Sequence, residues 1–389
     1  MKCLKHNPAP NPQPGVLPSR MPFAPGWIWL AVAWLSLGAW RAPGAEAPEM
    51  RQVAAARLPL ALLRSPEVQA ELGLPADQVG AIEAILEKAD GPLWRLHDAP
   101  AAPGAERVRA LAAQAMLEVD AVLKPGQRQR LDQLCLRAGG WEILQATNLL
   151  DRLQLSEAQH RRFEDFFAAQ GKADSRVVRE LPEAGQRWVL AILTGPQRAL
   201  LSEALGQPFP FGQGRYPLAK APPLREIEAW INTAPVRLSD WEGKVVILHF
   251  WTFGCINCVH NFPLYVQWFR EFPPDRVAML GVHTPETDGE HDLAALKRSV
   301  QERGLKFPIA VDNHQENWSA WGNHIWPAVY LIDKRGYVRC WWYGELAWRG
   351  AKGDAALRSQ IQQLLAEDYP LSRAREAGRA GMSPKPPGS

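Results

Sequence analysis

The sequence predicts two folded regions, an all-α region followed by an α/β sandwich with a mixed central sheet flanked by helices. Three observations predict this order. Residues 50–206 place apolar side chains three and four apart, as amphipathic helices do. Residues 207–223 are rich in proline and glycine and are typical of a linker. Over 224–369, β-rich apolar runs alternate with helical segments, which indicates strands buried between layers of helices.

The first 45 residues have the composition of an export segment. Basic residues precede the apolar run WIWLAVAWLSLGAW (27–40), and the small residues APGAEA follow it. This run is short for a membrane-spanning helix, which needs about 20 apolar residues. We therefore expect a secretory signal over 1–45, and an uncleaved N-terminal membrane anchor is the alternative. Either way, the protein is expected to be exported, periplasmic or anchored facing the periplasm, where disulfide chemistry is permitted.

Charge excludes one class of partner. The formal net charge is +3 in 389 residues, and no long basic run is present. A nucleic-acid-binding surface would need a stronger basic bias, so we expect no nucleic-acid partner.

A five-residue pattern recurs four times in the helical region, as LPADQ (74–78), LKPGQ (123–127), LSEAQ (155–159) and LTGPQ (193–197). Ser156 and Thr194 can accept hydrogen bonds from the free N–H groups of a helix start, and Pro75 suits a first turn. The pattern therefore predicts four helix N-termini, in two copies of a two-helix unit. It also resembles the LTxxQ motif of small helical periplasmic stress proteins, some of them chaperone-like. An ordinary bundle with capped helices is the alternative.

The elements of the C-terminal region follow one another closely. The runs that predict strands are KVVILHFW, RVAMLGVHT, FPIAVD, PAVYLID and YVRCWWYG, the last two flanking KRG as an antiparallel hairpin. The runs that predict helices are CVHNFPLYVQWFREF, LAALKRSVQERG and AALRSQIQQLLAED. Residues 370–389 are expected to be a disordered tail.

Two cysteines lie two residues apart in HFWTFGCINCVHNFP (249–263). Cys255 falls where the buried strand ends and the next helix begins. Unpaired N–H groups and the positive end of the helix dipole favour a thiolate there. Cys258 lies one turn further, shielded from solvent and close enough to form a disulfide with Cys255. We predict that Cys255 attacks a substrate disulfide and that Cys258 resolves the mixed disulfide.

This segment resembles the active site of thioredoxin-fold proteins, and it is most similar to the TlpA-like thiol-disulfide oxidoreductases that carry FWTxxCINC. LSDWEGKVVILHFW, GVHTPE and WPAVYLID also fit that branch, so the similarity covers residues 224–367. The resemblance implies a thioredoxin-like sandwich, a redox-active disulfide between Cys255 and Cys258, and no cofactor or metal. It also implies protein thiol and disulfide substrates and a membrane electron donor.

The resemblance assigns further residues. Pro263 matches the proline that kinks the active-site helix. Pro327 stands at the family's cis-proline, which faces the cysteine pair and helps to dock the substrate backbone, and Trp326 precedes it. Trp251 is implied to pack beside the cysteines and to shape the docking surface. These three residues, Trp251, Trp326 and Pro327, are the predicted docking residues.

One position departs from the family pattern. Thioredoxins carry a buried acid six residues before the first cysteine, and this chain has His249 there. A neutral imidazole can move a proton to and from Cys258, so His249 is a candidate for proton transfer; a packed core residue is the alternative. His260 lies behind Cys258, where it could influence the thiolate or, as an exposed helix residue, have no effect.

Other chemistries fit less well. A structural zinc site needs four ligands, and the chain has no second CxxC. Cys340 and His324 could be added ligands, but Cys340 alternates with Val338 and Trp342 on a strand face typical of core. Copper-delivery relatives use a wider cysteine spacing, and peroxidase relatives need a proline where this chain has Leu248. We expect Cys135 to be a small buried apolar residue.

The sequence thus predicts an exported thiol-disulfide oxidoreductase that reduces protein disulfides. A second hypothesis assigns the main function to the helical region, as a chaperone-like binder of clients or partners. The thioredoxin-like domain would then be an accessory or a redox sensor.

Overall fold

The computed structural model describes residues 48–98, 102–139, 149–169, 183–211, 216–217 and 219–367. The predicted export segment and the predicted tail lie outside these residues. No helix within the described ranges has both the length and the apolarity needed to cross a membrane.

The N-terminal part of the described chain is helical, as predicted. Its helices are α1 (Pro48–Leu62), α2 (Pro66–Glu71), α3 (Ala76–Trp94), α4 (Ala102–Asp120), α5 (Pro125–Ala138), α6 (Leu149–Arg152), α7 (Glu157–Ala169), α8 (Glu183–Ile192) and α9 (Gly195–Leu205). Helices α1 to α5 share one apolar core, which includes Leu62 and Leu131. Helices α6 to α9 share a second core around Phe163 and Val189.

The four L-x-x-x-Q motifs lie at the starts of α3, α5, α7 and α9, which confirms the predicted helix N-termini. Their glutamines bond in pairs. Gln127 Nε2 donates to Gln78 Oε1 at 3.0 Å, and Gln159 Nε2 donates to Gln197 Oε1 at 2.8 Å. Each pair therefore joins two helix starts.

Hydrogen bonds to backbone carbonyls strengthen both pairs. Gln78 Nε2 donates to Val122 O at 2.6 Å, just before the α5 motif, and Gln159 Nε2 donates to Ile192 O at 2.9 Å, just before the α9 motif. The same chemistry thus occurs in both halves, as expected of two copies of a two-helix unit. The side-chain amides of these glutamines form hydrogen bonds within the chain, so the motif links helix starts inside this protein.

The C-terminal part is an α/β sandwich around a seven-stranded mixed sheet, as predicted. The strands are β1 (Ala219–Lys220), β2 (Ala229–Ile231), β3 (Val245–Trp251), β4 (Val277–His283), β5 (Ile309–Val311), β6 (Ala328–Ile332) and β7 (Tyr337–Tyr343). Their order is β1-β7-β6-β3-β4-β5-β2. Strand β4 pairs in parallel with β3 and β5, and the remaining pairs are antiparallel. The helices are α10 (Ile256–Glu271), α11 (Leu293–Glu302), α12 (Glu316–Ala320) and α13 (Gly353–Ala366).

The predicted linker needs correction at both ends. Phe209 is buried in the α1–α5 core, and Tyr216 packs against it. Strand β1 lies inside the predicted linker and pairs with β7. A strand of two residues is too short to show periodicity, so the sequence pattern could not reveal it.

The two faces of the sheet have different covers. On one face, Ile247 and Trp251 pack in a core with residues of α10, α11 and α13. On the other face, Leu248 and Phe250 pack in a core that includes Trp94 from the end of α3. The helical region therefore contributes a side chain to the core of the α/β region.

The predicted orientation of the β7 side chains needs correction, because the hairpin contains a β-bulge. Leu331 pairs with Cys340, but Ile332 pairs with Val338, so Arg339 is an extra residue on β7. The bulge reverses the alternation. Cys340 and Trp342 consequently face the α10 side, whereas Val338 faces the Trp94 side.

Candidate redox site

Cys255 is the N-cap residue of α10, directly after the loop that leaves β3. All seven residues of β3 are buried, so the strand holds this loop against a fixed core. The carbonyl of Cys255 accepts hydrogen bonds from the N–H groups of Cys258 and Val259, both at 3.1 Å. Cys255 is partly exposed and Cys258 is fully buried. An accessible sulfur and a shielded one thus lie one turn apart, as predicted.

The pKa values of the two thiols are shifted in opposite directions. A hydrogen bond from the Cys258 thiol, together with the backbone N–H groups of Cys258 and Asn257, lowers the pKa of Cys255 to about 7 although burial opposes the shift. Burial, and then the hydrogen bond to Cys255, raise the pKa of Cys258 well above its ordinary value. Cys255 is therefore the thiol that ionises near neutral pH. The helix amides contribute as expected, but the largest contribution comes from Cys258.

Glu290 holds the backbone next to Cys255, and sequence reasoning missed it. Its buried carboxylate accepts hydrogen bonds from Gly254 N at 2.9 Å, Glu286 N at 2.7 Å and Thr287 N at 3.0 Å. A side chain at position 254 would collide with it, since an added Cβ would lie 2.2 Å from Glu290 Oε1. One signal could have found this residue: neighbouring parallel strands β3 and β4 end at the same edge, and Glu290 follows β4.

His249 is fully buried in β3, and neither ring nitrogen has a hydrogen-bond partner among the described residues. Its ring lies 4.2 Å from that of Tyr265 and 5.0 Å from that of Phe307. Burial lowers its pKa to about 3, so the imidazole is neutral at physiological pH. Tyr265 accepts a hydrogen bond from Asn261 on the same helix as Cys258. His249 thus lies beneath the active-site helix, in aromatic surroundings.

The Trp326–Pro327 peptide bond is cis. The Trp326 ring stacks on Trp318 at 3.8 Å, and its indole N–H donates to Thr284 O at 3.1 Å. Two apolar side chains next to these residues in the sequence are exposed: Ile256, after Cys255, is 62% exposed, and Ile325, before Trp326, is 42% exposed. The predicted docking loop therefore presents partly apolar surface on a fixed backbone.

The assignment of Trp251 to the docking surface needs correction. Its indole is fully buried in the core that contains Cys258, with its ring 5.2 Å from those of Phe262 and His283. It can influence docking only by supporting the cysteines from below. His260 is exposed, and its Nδ1 lies 3.0 Å from the Glu345 carboxylate.

Asn261 joins the active-site helix to the turn after β7. Its Nδ2 donates to Gly344 O at 3.2 Å, and its Oδ1 accepts from Leu346 N at 2.9 Å. Gly344 N in turn donates to Pro327 O at 2.8 Å. The turn after β7 therefore connects α10 to the cis-proline, a link that no local pattern in the sequence indicates.

Cys135 and Cys340, the other cysteines among the described residues, lie in separate cores. Cys135 packs against the α1–α5 core, where burial raises its pKa, and Cys340 lies on the α10 side of the sheet. Within the described ranges, no three or more His, Cys, Asp or Glu side chains are grouped so that they could hold a metal ion.

Comparisons with known proteins agree with this geometry. Residues 219–340 match the model of the AhpC/TSA family. The protein DipZ of Mycobacterium bovis is 39% identical over 128 residues, which are 32% of this chain and 18% of DipZ. The thiol-disulfide oxidoreductase YkuV of Bacillus subtilis is 29% identical over 146 residues, which are 38% of this chain and 94% of YkuV.

The solved structure of a thioredoxin-like superfamily protein aligns with 31% identity and a TM-score of 0.35, covering 39% of this chain and 99% of that protein. ResA of Bacillus anthracis, which is also named a thiol-disulfide oxidoreductase, is 33% identical over 103 residues, which are 26% of this chain and 57% of ResA. Residues 219–340 are therefore similar to proteins of the AhpC/TSA family and to the thiol-disulfide oxidoreductase YkuV.

Proposed function

We propose that this protein is an exported thiol-disulfide oxidoreductase that reduces disulfides in other proteins. The observation that carries the proposal is the unequal cysteine pair. Cys255 is accessible at a helix N-cap with its pKa lowered to about 7, and its partner Cys258 is buried with its pKa raised. A thiolate that forms near neutral pH attacks disulfides readily, and a protonated partner waits until the mixed disulfide has formed.

The reaction proceeds in two displacements. The Cys255 thiolate attacks one sulfur of the substrate disulfide, forms a mixed disulfide and releases the first substrate thiolate, which takes a proton from solvent. Cys258 then loses its proton, and its thiolate attacks Cys255 Sγ and releases the second substrate thiolate, which takes up the proton that Cys258 lost. Two electrons and two protons pass to the substrate, and the Cys255–Cys258 disulfide remains.

The proton of Cys258 must leave a buried site, and we propose that His249 passes it on without staying charged, since its pKa of about 3 keeps the ring neutral. Neither nitrogen of its neutral ring has a hydrogen-bond partner among the described residues, and the ring lies under the helix that carries Cys258. A second cycle needs an external dithiol to reduce the Cys255–Cys258 disulfide. For an exported protein we propose a membrane electron donor, as the family resemblance implies.

Trapping tests the assignment of the two cysteines. Full-length Cys258→Ser should accumulate substrate proteins as mixed disulfides on Cys255, because the resolving thiol is missing. The matched variant Cys255→Ser should trap none. Reduction by the wild-type protein of insulin, supplied with dithiothreitol, gives the catalytic readout. Equal trapping by both variants would refute the assigned roles.

A further inference from the structure

The last turn of α3 and the residues after it lie against the loop that leads to the cis-proline. Trp94 Nε1–H donates to Trp321 O at 3.1 Å. At Gly322, whose φ is +67°, an added Cβ would be 3.5 Å from Arg95 Cα and 3.5 Å from His97 Cε1. The segment 94–98 is therefore hydrogen-bonded to Trp321 and lies so close to Gly322 that an added Cβ there would be in van der Waals contact with it.

Tyr343 forms a second connection between the same two segments. Its hydroxyl lies 2.9 Å from His97 Nε2 and donates to the Asp98 carboxylate. Its ring lies 4.9 Å from that of His324, inside the loop. The next residue, Gly344, donates its N–H to Pro327 O at 2.8 Å. Helical-region groups thus hold the loop at 321–322 and, through Tyr343, at 324 and 327.

The side chains of Trp94 and His97 are buried in these contacts, and their polar atoms and the Asp98 carboxylate have hydrogen-bond or ionic partners. Segment 94–98 therefore has little freedom to move. Trp94 is 1% exposed and stacks on His97 with ring centroids 4.1 Å apart. His97 Nδ1 lies 2.6 Å from Trp94 O, and His97 Nε2 lies 3.1 Å from the Asp98 carboxylate. Moving segment 94–98 would break several of these contacts at once, so the segment is a rigid support for the loop.

We propose that Trp94, His97 and Asp98 are positioning residues of the redox site, holding the 321–327 loop where it docks the substrate chain. The inference rests on the proposed function, because docking matters only if the cysteine pair acts on a protein. The groups that make Cys255 acidic, Cys258 and the amides of α10, lie on another element. The support therefore governs substrate docking and leaves the chemistry of the thiol unchanged.

The effect on docking depends on the fraction of molecules in which the 321–327 loop is positioned to bind the substrate. A loop that loses part of its support spends time in positions that do not fit the substrate. The apparent dissociation constant then rises in inverse proportion to the fraction of molecules that keep the competent position. Losing one hydrogen bond should raise KM for a protein disulfide by about two- to tenfold.

The experiment compares Tyr343→Phe and Trp94→Phe with wild type as full chains. Tyr343→Phe removes only the hydroxyl, and Trp94→Phe removes the donor to Trp321. Lys220→Ala is the control, since the 2.7 Å Lys220–Glu87 ion pair joins the same regions away from the loop. Each protein is assayed for insulin reduction with dithiothreitol, for reaction with the small disulfide 5,5′-dithiobis(2-nitrobenzoic acid), and for the pH dependence of Cys255 alkylation.

We expect both variants to raise KM for insulin while kcat, the small-disulfide rate and the alkylation midpoint stay at wild-type values. Lys220→Ala should match wild type in all four. An unchanged KM in Tyr343→Phe would overturn the inference, as would a shifted alkylation midpoint, and Tyr343→Phe decides alone if Trp94→Phe fails to fold. A wild-type protein that alkylates normally but never reduces insulin would instead refute the proposed function.

Discussion

Replacing Cys258 with alanine tests the origin of the acidity of Cys255. The Cys258 thiol makes the largest contribution to lowering the pKa of Cys255 to about 7, so about half of the Cys255 thiols are ionised at pH 7. A hydrogen bond to a charged group contributes about 1.5–3 kcal/mol, which corresponds to roughly one to two pKa units. Cys258→Ala should therefore move the pKa of Cys255 to about 8 or higher.

The sign of the pH effect follows from the reactive form. The thiolate reacts, so the alkylation rate rises with pH and levels off above the pKa. In Cys258→Ala the midpoint should move upward by about one unit or more. The plateau should also rise, by roughly threefold per unit, because a more basic thiolate is a better nucleophile. The midpoint is thus a better measure than the rate at one pH.

Iodoacetamide alkylation of Cys255 in reduced full chains, followed by peptide mass spectrometry, measures this midpoint. Cys258→Ser is the matched control, because its hydroxyl can still donate to the Cys255 sulfur and should preserve most of the shift. If Cys258→Ala titrates like wild type, the helix amides rather than Cys258 lower the pKa. If the serine variant shifts as far as alanine, hydrogen bonding is the wrong explanation.

Three further substitutions test the packing around the site by urea denaturation. Glu290→Gln should lower the free energy of unfolding by about 1–3 kcal/mol, because an amide group cannot accept from all three N–H groups that the carboxylate serves. The exposed Glu302→Gln is its control and should have little effect. Gln159→Leu should lower the free energy of unfolding by about 1–2 kcal/mol, since two partly buried carbonyl oxygens lose a donor. The exposed Gln114→Leu should have little effect. Trp94→Ala should cost about 3–5 kcal/mol by leaving a cavity against the sheet, and a smaller loss would mean that the two regions are not one packed unit.

The Trp94 contact also changes how the two regions should be studied. A fragment that begins at residue 216 lacks Trp94, so it leaves Trp321, Tyr330 and Trp341 without a neighbour that lies within 6.2 Å of each ring. Low activity of such a fragment would then reflect lost packing as well as lost function. Substitutions in the full chain separate these causes more cleanly.

Structural features that depend on residues close together in the sequence could be predicted. The helix starts at Ser156 and Thr194, the buried strand before Cys255 and the helix N-cap at Cys255 depend on neighbours within a few residues. The cis-proline was anticipated through the family resemblance of WPAVYLID, and the structure has a cis bond at Pro327. Local spacing and capping chemistry suffice for the helix starts, the strand and the N-cap, whereas the cis-proline position comes from the family resemblance alone.

Features that depend on contacts between distant residues could not. Glu290 reaches Gly254 across 36 positions, and Tyr343 reaches His97 across 246. Nothing in either neighbourhood marks the partner. The bulge at Arg339 had the same cause: strict alternation predicts a common face for Val338 and Cys340, and only pairing with β6 showed the extra residue.

By itself, the amino-acid sequence determined the order of the two regions, five of the seven strands of the central sheet and the position of a cysteine pair at a helix start. Periodicity and helix capping depend on residues that are close together in the sequence, so they can be recognised without the tertiary structure. The tertiary structure alone decided that Cys258 is the main source of Cys255's acidity, that Trp251 is buried beneath the site and that the helical region supports the cis-proline loop. Those facts depend on burial and on distances across the fold, which a linear pattern does not contain.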